Sequence, residues 1–415
     1  MVPLTTLQGL PAEQLRTLID GRPIYLWGFG DVAQDVLVSL GRSELSASGI
    51  LHSAPEVGAH AYGLPVLPAS QVLSSPNRPF VVIASLQFRQ QAEIACQNAG
   101  LRAGQDYLTH LSISRPVAVI EVASGTRSYG CLTPATRPQT SMSASTFKAV
   151  LSKVLADQPQ LCHVELSWLG DPLSNPEIAD IVRHCESRVP CTVSTPLLET
   201  EHLEALISAR PSRLNIIVQG YGERYSELMD GACWDVFRNN LERLKASLVR
   251  ATGTPRTTIR YLESRNDAPT LRTDWKELLQ GSCIALSIES PYVTPYDPLL
   301  AHCNGEEISL GATQAIERLN WRIDPALAAC TVDREQPCLS QRIFPVIGTD
   351  RTVGLCHLYQ KPLLAEDYLA IPWSELLARR HRAAHCVQCQ QHGLHRLDLP
   401  VLTRRFPQLA SQLFE

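Results

Sequence analysis

The chain has 415 residues, and at about 100–200 residues per domain this length indicates two to four domains. Hydrophobic residues make up 44% and charged residues 19%, which excludes a chain disordered by composition. The 37 basic and 41 acidic side chains nearly balance, which argues against broad binding of a nucleic-acid backbone. No apolar run approaches the ~18 residues of a membrane span, and no secretory pattern is visible. We therefore expect a cytoplasmic protein that binds neither nucleic acid nor membranes.

The first segment, residues 1–114, has the pattern that opens a nucleotide-binding βαβ unit. A strand-like apolar run at 23–27 leads directly into a glycine turn and then into a helix-like run. Glycines at such a turn permit close backbone approach to an anion at the helix N-terminus. The candidate cofactor-binding positions are therefore Gly28, Gly30 and Ala33.

A dinucleotide site would carry an acidic residue about 20 positions further on, where it binds the ribose hydroxyls. The second strand-like run ends here at His52, and Glu56 is the nearest acid. The segment is thus predicted to be a small Rossmann-like domain. We expect this domain either to bind a nucleotide or a sugar nucleotide, or to have only a packing role in the protein.

Residues 115–293 alternate strand-like and helix-like stretches. Strands are predicted at 117–122, 163–167, 191–195, 214–218, 257–261 and 283–288. Repeated βα units imply a parallel sheet, and this number of units implies a barrel or a partial barrel. The polar residues near the strand ends, which are candidates to line its cavity, are Asn215, Gln219, Arg260 and Asn266.

Several motifs, taken in their order and spacing, resemble radical S-adenosylmethionine enzymes of the SPASM type. They are Glu121-Val122-Ala123-Ser124, Met142-Ser143-Ala144-Ser145-Thr146-Phe147, Val164-Glu165-Leu166-Ser167, Gly170-Asp171-Pro172-Leu173 and Arg213-Leu214-Asn215-Ile216. The resemblance covers roughly residues 116–396. It implies a partial (βα) barrel that binds S-adenosylmethionine near Gly170 and Asp171. A cysteine-rich SPASM-like or twitch-like domain over residues 294–415 would follow.

The stretch that should carry the family's three cluster cysteines is altered. In register with Glu121, these positions hold Thr126, Gly130 and Thr133, and the cysteine nearby is Cys131. Three thiolates are needed to hold a [4Fe–4S] cluster with one open iron, and threonine hydroxyls are poor ligands for it. Asp171 also replaces the family's glutamate. We predict that ordinary reductive cleavage of S-adenosylmethionine is lost.

The last four cysteines have the spacing of metal ligands. Cys338 and Cys356 flank a hairpin-like pattern, and Cys386 and Cys389 form C-x-x-C after a helix predicted at 371–377. The family resemblance implies that these four bind one auxiliary [4Fe–4S] cluster. A tetrahedral zinc site would use the same ligands and is the alternative, and reduced thiols without metal are a third interpretation.

Four other cysteines, several histidines and one tryptophan are predicted to have structural or surface roles, while Cys303 and Cys330 are loose candidates for extra metal ligands. Small buried hydrophobes are the interpretation for Cys162, Cys185, Cys191 and Cys233. A solvated, weakly basic surface is predicted for His357, His385, His392 and His395. Core packing in the barrel is predicted for Trp275.

Three functions are compatible with these features. In the first, the chain keeps one iron–sulfur cluster and acts in a peptide- or glycan-modification pathway, as a partner of a modifying enzyme or as a substrate-recognition subunit. In the second, it is an enzyme that uses the barrel cavity for S-adenosylmethionine or a nucleotide-linked substrate. In the third, it is a binding module stapled by zinc. The fold alone does not choose among them, because function depends on the site.

Overall fold

The structure is a computed structural model. It describes residues 10, 12–29, 31–56, 58–85, 89–113, 116–125, 137–229, 231–251, 255–265, 267–268, 270–291, 293–332, 334–335, 338, 340, 342–399, 402, 408 and 413. The chain forms two compact units, Met1–Pro116 and Val117–Glu415. The second unit contains both of the segments that sequence analysis divides at residue 293. The boundary at residue 293 therefore stays a prediction. Among the described residues no helix is long and apolar enough to cross a membrane.

The first unit is built from short strands and helices that alternate along the chain. Its strands are β1 (Ile24–Trp27), β2 (Ala47–His52), β3 (His60–Ala61), β4 (Leu64–Pro68), β5 (Phe80–Ile83) and β6 (Tyr107–Thr109). Its helices are α1 (Ala12–Ile19), α2 (Asp31–Arg42), α3 (Ala69–Leu73), α4 (Arg89–Asn98) and α5 (His110–Ile113).

The strands of the first unit form one sheet in the order β3-β4-β2-β1-β5-β6, and all pairs except β3 with β4 are parallel. The five parallel strands thus stand in the chain order third, second, first, fourth, fifth, as in doubly wound nucleotide-binding sheets. One apolar core contains side chains of α1, α2 and α5, and another contains side chains of α3 and α4. Because both faces are covered, β5 is apolar and buried along its whole length.

The second unit continues the alternation and then changes character. Its strands are β7 (Val117–Ile120), β8 (Ala123–Ser124), β9 (Thr140–Ser141), β10 (His163–Glu165), β11 (Cys191–Thr195), β12 (Arg213–Gln219), β13 (Arg256–Leu262), β14 (Ala285–Glu289), β15 (Ile343–Ile347), β16 (Val353–Cys356) and β17 (Tyr359–Ala365). Its helices are α6 (Ala144–Asp157), α7 (Ile178–Glu186), α8 (Leu203–Ala209), α9 (Arg224–Leu228), α10 (Trp234–Arg250), α11 (Leu271–Leu278), α12 (Asp297–Cys303), α13 (Leu310–Glu317), α14 (Ile323–Val332), α15 (Trp373–His381) and α16 (Ala384–Gln391).

The main sheet of this unit has the order β14-β13-β12-β11-β10-β7-β15-β16-β17. From β7 to β14, each strand pairs in parallel with the next one of the series along the chain. This sequential order is the one that curls a parallel sheet into a barrel with its helices outside. Since β14 and β17 are the two edges of the described sheet, the barrel is partial. The predicted α/β architecture of parallel sheets with a partial barrel is confirmed.

The two faces of the barrel strands differ in polarity. On β12, Leu214, Ile216 and Val218 belong to the apolar core that also contains the helix side chains. Successive side chains of a strand point to opposite faces, so Asn215 and Gln219 lie on the interior face. The barrel interior is therefore the face on which polar groups of neighbouring strands can meet.

The predicted hairpin at 344–355 is confirmed, because β15 and β16 pair antiparallel. The structure adds a third strand, β17, and places β15 in parallel beside β7, so that the hairpin extends the barrel sheet. Sequence alone missed β17 and the helices α12, α13 and α14. Residues 126–136, where the family would carry its cluster cysteines, lie outside the described residues, and the substitutions there are known from sequence only.

Candidate functional site

Glu121 lies directly after β7 and accepts hydrogen bonds from several segments of the chain. In the family that the sequence resembles, the cluster cysteines would follow this position. Its carboxylate is fully buried and accepts two hydrogen bonds of 2.6 Å from the Arg137 guanidinium. It also accepts from the backbone amides of Leu169 at 3.0 Å and Gly170 at 3.1 Å. The Arg137 guanidinium lies 5.5 Å from the ring centroid of Trp168. The Glu121 carboxylate thus joins the start of the barrel both to Arg137, through an ion pair, and to the segment that follows β10, through two backbone amides.

Gly170 and Asp171, the predicted S-adenosylmethionine positions, have defined local roles. A Cβ atom at Gly170 would lie 2.3 Å from the Ala123 carbonyl oxygen, so only glycine allows this close backbone approach. The Asp171 carboxylate accepts a hydrogen bond of 3.0 Å from the Leu173 amide and caps a short 3₁₀ turn. Their role in binding a ligand stays a prediction.

The barrel interior carries a polar set on successive strands. The Glu165 carboxylate on β10 accepts from the Ser194 hydroxyl at 3.2 Å, and the Asn215 amide lies 3.5 Å from that hydroxyl. On the next strands, Arg260 binds Glu289 through two nitrogens, at 3.0 and 2.6 Å. Sequence analysis predicted Asn215 and Arg260 here but missed both carboxylates: Glu165 appeared only within a strand motif, and Glu289 follows the predicted strand 283–288.

These interior carboxylates titrate differently. Burial raises the pKa of Glu165 to about 7, against the opposing hydrogen bonds of Ser194 and Ser167 and the charge of Arg260. Burial would also raise the pKa of Glu289, but the bonds from Arg260 hold it below its usual value. The side chains of Arg260 and Glu289 are 32% and 29% exposed, so water reaches this face. Carboxylates whose pKa values are shifted apart by their surroundings are typical of acid–base or ligand sites.

Gln219 lies at the end of β12, and its side chain is 1% exposed. Its amide nitrogen has no hydrogen-bond partner in the part of the chain that the structure describes. A buried orphan donor of this kind fits a missing ligand or water. Asn266, the fourth predicted lining residue, lies outside the described residues. Trp275 is fully buried against Tyr261 and the rings after β12, so the core role predicted for it is confirmed.

The four cysteines predicted to hold a metal come from distant parts of the second unit. Cys356 ends β16, while Cys386 and Cys389 lie on α16. Cys356 and Cys389 are buried, and Cys338 and Cys386 are partly buried. The thiol of Cys389 interacts electrostatically with the other three thiols. The fold therefore brings this set together, although Cys338 precedes Cys389 by about fifty residues along the chain.

Buried thiols in this cluster are hard to ionise as they stand. Burial raises the pKa of Cys356 to about 12, with smaller contributions from Cys338 and Cys386 and an opposing one from Arg380. No three His, Cys, Asp or Glu side chains among the described residues converge closely enough to ligate one metal ion. A metal would therefore have to draw these sulfurs inward and replace their protons.

Two further groups beside the cysteines fit such a metal. The buried Tyr359 hydroxyl has no hydrogen-bond partner of ordinary geometry within the described ranges, and it interacts with the Cys389 thiol. The Arg380 side chain is only 7% exposed and interacts with Cys338, Cys356 and Cys386. An orphan donor and a buried cation suit four thiolates better than four neutral thiols. The donor set thus fits either a [4Fe–4S] cluster or zinc.

The first unit holds the other predicted cofactor positions. Gly28 has a φ of 131°, and a Cβ there would lie 2.8 Å from the Ala84 carbonyl oxygen. Glycine is therefore required where the chain leaves β1. Ala33 is fully buried in the core on α2, which is a packing role. Gly30 lies outside the described residues, and a nucleotide site here stays a prediction.

The surface role predicted for the C-terminal histidines is wrong at two positions. His395 is 4% exposed. Burial lowers the pKa of His357 to about 4, and nearby arginines add to the effect. Packing is confirmed for Cys162, Cys185 and Cys191, which are buried, but Cys233 is exposed at the start of α10.

A surface cleft of about 240 Å³ lies elsewhere in the second unit. It is lined by Arg224, Glu227, Arg265, Gln314, Glu317 and Arg318. Arg224 is already paired with Asp267 at 3.1 Å. The cleft contains none of the residues predicted from sequence.

No protein-family model matches the chain, and no curated protein matches it significantly. Among solved structures, it is similar to SuiB of Streptococcus suis bound to S-adenosylmethionine, with 12% identity, a TM-score of 0.44 and coverage of 74% of this chain and 83% of that one. It is similar to anSMEcpe with bound AdoMet and a Cp18Cys peptide, with 14% identity, a TM-score of 0.42 and coverage of 71% and 95%. It is also similar to BtrN in complex with AdoMet and 2-DOIA, with 9% identity, a TM-score of 0.32 and coverage of 67% of this chain and 88% of that one. Likeness at this level carries no weight for the chemistry, which depends on this chain's own residues.

Proposed function

We propose that the protein is a radical S-adenosylmethionine/SPASM-like iron–sulfur protein without a radical-initiating cluster. Cys338, Cys356, Cys386 and Cys389 would hold one [4Fe–4S] cluster with no open iron. It would act as a partner of a modifying enzyme, or as a substrate-recognition subunit, in a peptide- or glycan-modification pathway. Its location in the cytoplasm also stays a prediction.

The observation that carries this proposal is the grouping of the four thiols, three of which also interact with Arg380. Three distant chain segments contribute them, and Cys389 interacts with all of the others. A bound cluster would supply a one-electron redox centre, and its binding energy would add to the folding energy of this unit. The stretch with Thr126, Gly130 and Thr133 supports the second half of the proposal, because it offers too few thiols for another cluster.

Metal analysis tests the cluster directly. Protein purified without oxygen should contain about four irons and about four sulfides per chain. Cys356→Ser and Cys389→Ser should lose most of the iron, whereas the exposed Cys283→Ser should keep it. About one zinc and no iron would replace the cluster by the zinc-stapled module. A full iron content in both ligand variants would refute this ligand set.

The loss of radical chemistry is tested separately, by incubating the reduced protein with S-adenosylmethionine. We expect no 5′-deoxyadenosine above the level of a sample without protein, because no open-iron cluster is held by Thr126, Gly130 and Thr133. Restoring cysteine at all three positions is the informative comparison. Turnover by the unaltered chain would show that it is itself a radical enzyme.

A second candidate function is an enzyme that uses the barrel cavity. It is favoured by the orphan amide of Gln219 and by the charged interior set of Glu165, Arg260 and Glu289. Its ligand would be S-adenosylmethionine or a nucleotide-linked substrate. Calorimetric titration with each compound checks this, with Arg260→Gln as the binding-site variant and the exposed Arg183→Gln as its control. Binding that Arg260→Gln abolishes would support it, and absence of binding would exclude it.

A further inference from the structure

Arg137 lies in a site with the chemistry of a cation-binding site. Its guanidinium donates to both oxygens of Glu121 at 2.6 Å, and it lies 5.5 Å from the ring centroid of Trp168. A carboxylate and an aromatic face are groups that bind ammonium-like cations in proteins. The Trp168 ring is itself held, because its indole nitrogen donates to the His357 carbonyl at 2.8 Å. The cation in this site is thus one that the chain supplies.

The site lies at the carboxyl end of β7, on the interior face of the barrel. Ile120 and Val122 belong to the apolar core that contains the helix side chains, so Glu121 between them points to the opposite face. Ligands of barrel proteins bind at the carboxyl ends of the strands. The Gly170 amide donates at 3.1 Å to Glu121 Oε1, the same atom that accepts from Arg137. The guanidinium is therefore beside the position that the family resemblance assigns to S-adenosylmethionine.

The carboxylates at this position are already used by the chain itself. Glu121 accepts four hydrogen bonds, two from Arg137 and two from the 169–170 amides, which is about the number that the lone pairs of a carboxylate accept. The Asp171 carboxylate accepts from the Leu173 amide at 3.0 Å. S-adenosylmethionine carries an ammonium and a sulfonium, which would need the same carboxylate and the same ring face. The residues present do not fit that compound while Arg137 is in place.

The segment that carries Arg137 is tied to the barrel. Directly after it, β9 pairs antiparallel with β8. The Ser124 hydroxyl donates to the Pro138 carbonyl at 2.8 Å and lies 2.7 Å from the Thr140 hydroxyl. The Thr140 hydroxyl lies 2.6 Å from that of Thr349 as well. These bonds fix the backbone next to Arg137, so little further ordering is needed to hold its guanidinium at Glu121.

We propose that Arg137 is a built-in occupant of the cation site formed by Glu121 and Trp168, and that it closes the position beside Gly170 to S-adenosylmethionine. The proposed function concerns the four-cysteine centre, whereas this inference concerns the barrel and needs no metal. Under it, the second candidate enzyme is left with nucleotide-linked substrates.

The first experiment empties the site and refills it with a free cation. Arg137→Ala should bind guanidinium ion, so that millimolar guanidinium chloride raises its melting temperature by several degrees relative to the same concentration of sodium chloride. The unaltered protein should show no such rise, because its site is filled. Glu121→Gln combined with Arg137→Ala should lose the rise, and the exposed Arg183→Ala is the control. No rise in Arg137→Ala, or an equal rise in the double variant, would overturn the inference.

The second experiment is a calorimetric titration with S-adenosylmethionine. The unaltered protein should show no binding at millimolar concentration, and neither should Arg137→Lys, which keeps a cation in the site. Arg137→Ala should bind at least tenfold more tightly than the unaltered protein. Binding by the unaltered protein, or no gain in Arg137→Ala, would overturn the inference. If Arg137→Ala does not fold, the unaltered protein decides, since binding there overturns the inference and its absence supports it.

The outcomes separate this inference from the proposed function. If the unaltered protein holds zinc or no metal, the iron–sulfur proposal fails, while both experiments on Arg137 keep their meaning. If the protein holds one cluster at the four cysteines and also binds S-adenosylmethionine, the ligand set stands and this inference falls.

Discussion

The ion pair between Glu121 and Arg137 offers the sharpest test of how the barrel is held at its first strand. Glu121 is fully buried, and four hydrogen bonds end on its carboxylate. Arg137→Met leaves that carboxylate without its cation but keeps apolar contact with Trp168. Removing one partner of a buried pair typically costs about 3–5 kcal/mol. Because the Arg137 side chain is 21% exposed, we expect the lower end, about 3 kcal/mol.

Glu121→Gln should cost a similar amount, since it removes the carboxylate that the guanidinium binds directly, while one oxygen can still accept from the two amides. The double variant should cost less than the sum of the single ones, by about 1–3 kcal/mol. Arg183→Met is the control. It breaks an exposed pair with Asp180, which should change stability by less than about 1 kcal/mol.

The assay is urea unfolding at fixed metal loading, followed by tryptophan fluorescence. Trp27 is the one tryptophan of the first unit, and the other five lie in the second unit, so the signal reports mainly on the unit that changes. A cost below 1 kcal/mol for Arg137→Met, or strict additivity in the double variant, would refute the view that this pair anchors the segments after β7 and β10.

Three further predictions concern the same unit. Gly170→Ala should destabilise the second unit by about 1–3 kcal/mol in the same urea assay, because the new Cβ would clash with the Ala123 carbonyl. Gly125→Ala is the control and should be near neutral, because a Cβ there would meet nothing within 4 Å. Asn175→Ala should lower the free energy of unfolding by about 2–3 kcal/mol, because the buried Asn175 amide donates to the carbonyls of Val122 and Met142. The exposed Asn239→Ala is the control, and equal urea midpoints for the two variants would contradict this prediction. Glu165 holds its proton in the folded state up to about pH 7 but releases it near pH 4.5 when unfolded. Between these two pH values the folded state binds more protons than the unfolded state, so the free energy of unfolding falls as the pH rises from about 4.5 to about 7. Glu165→Gln should flatten this fall, which is at most about 3 kcal/mol, and an unchanged pH profile would rule it out.

The parts of the fold with strong local patterns were predictable from sequence. Alternating apolar runs marked β10 to β14, and the hairpin of β15 and β16 was evident from its turn. Helix α14 was missed because its sequence, Ile323–Val332, is apolar on most sides and shows no helical period. The position of β15 beside β7 could not be predicted, because pairing between strands so distant in the chain depends on tertiary packing.

The candidate site shows the same division. Cysteine spacing, together with the resemblance to SPASM-type proteins, indicated the set of Cys338, Cys356, Cys386 and Cys389. Nothing in the sequence distinguished Arg380 from the exposed arginines on either side of it, since a basic run at a helix end is normally solvated. The role of Glu121 was also hidden, because its partners Arg137 and the 169–170 amides come from distant segments. Such contacts become visible only when the fold brings those segments together.

The most direct test of the central claim is electron paramagnetic resonance of the reduced protein, with and without S-adenosylmethionine. We expect one cluster signal that S-adenosylmethionine leaves unchanged and that Cys389→Ser abolishes. Either a second cluster signal or one that S-adenosylmethionine alters would contradict the claim, because an open iron site would then exist in spite of Thr126, Gly130 and Thr133.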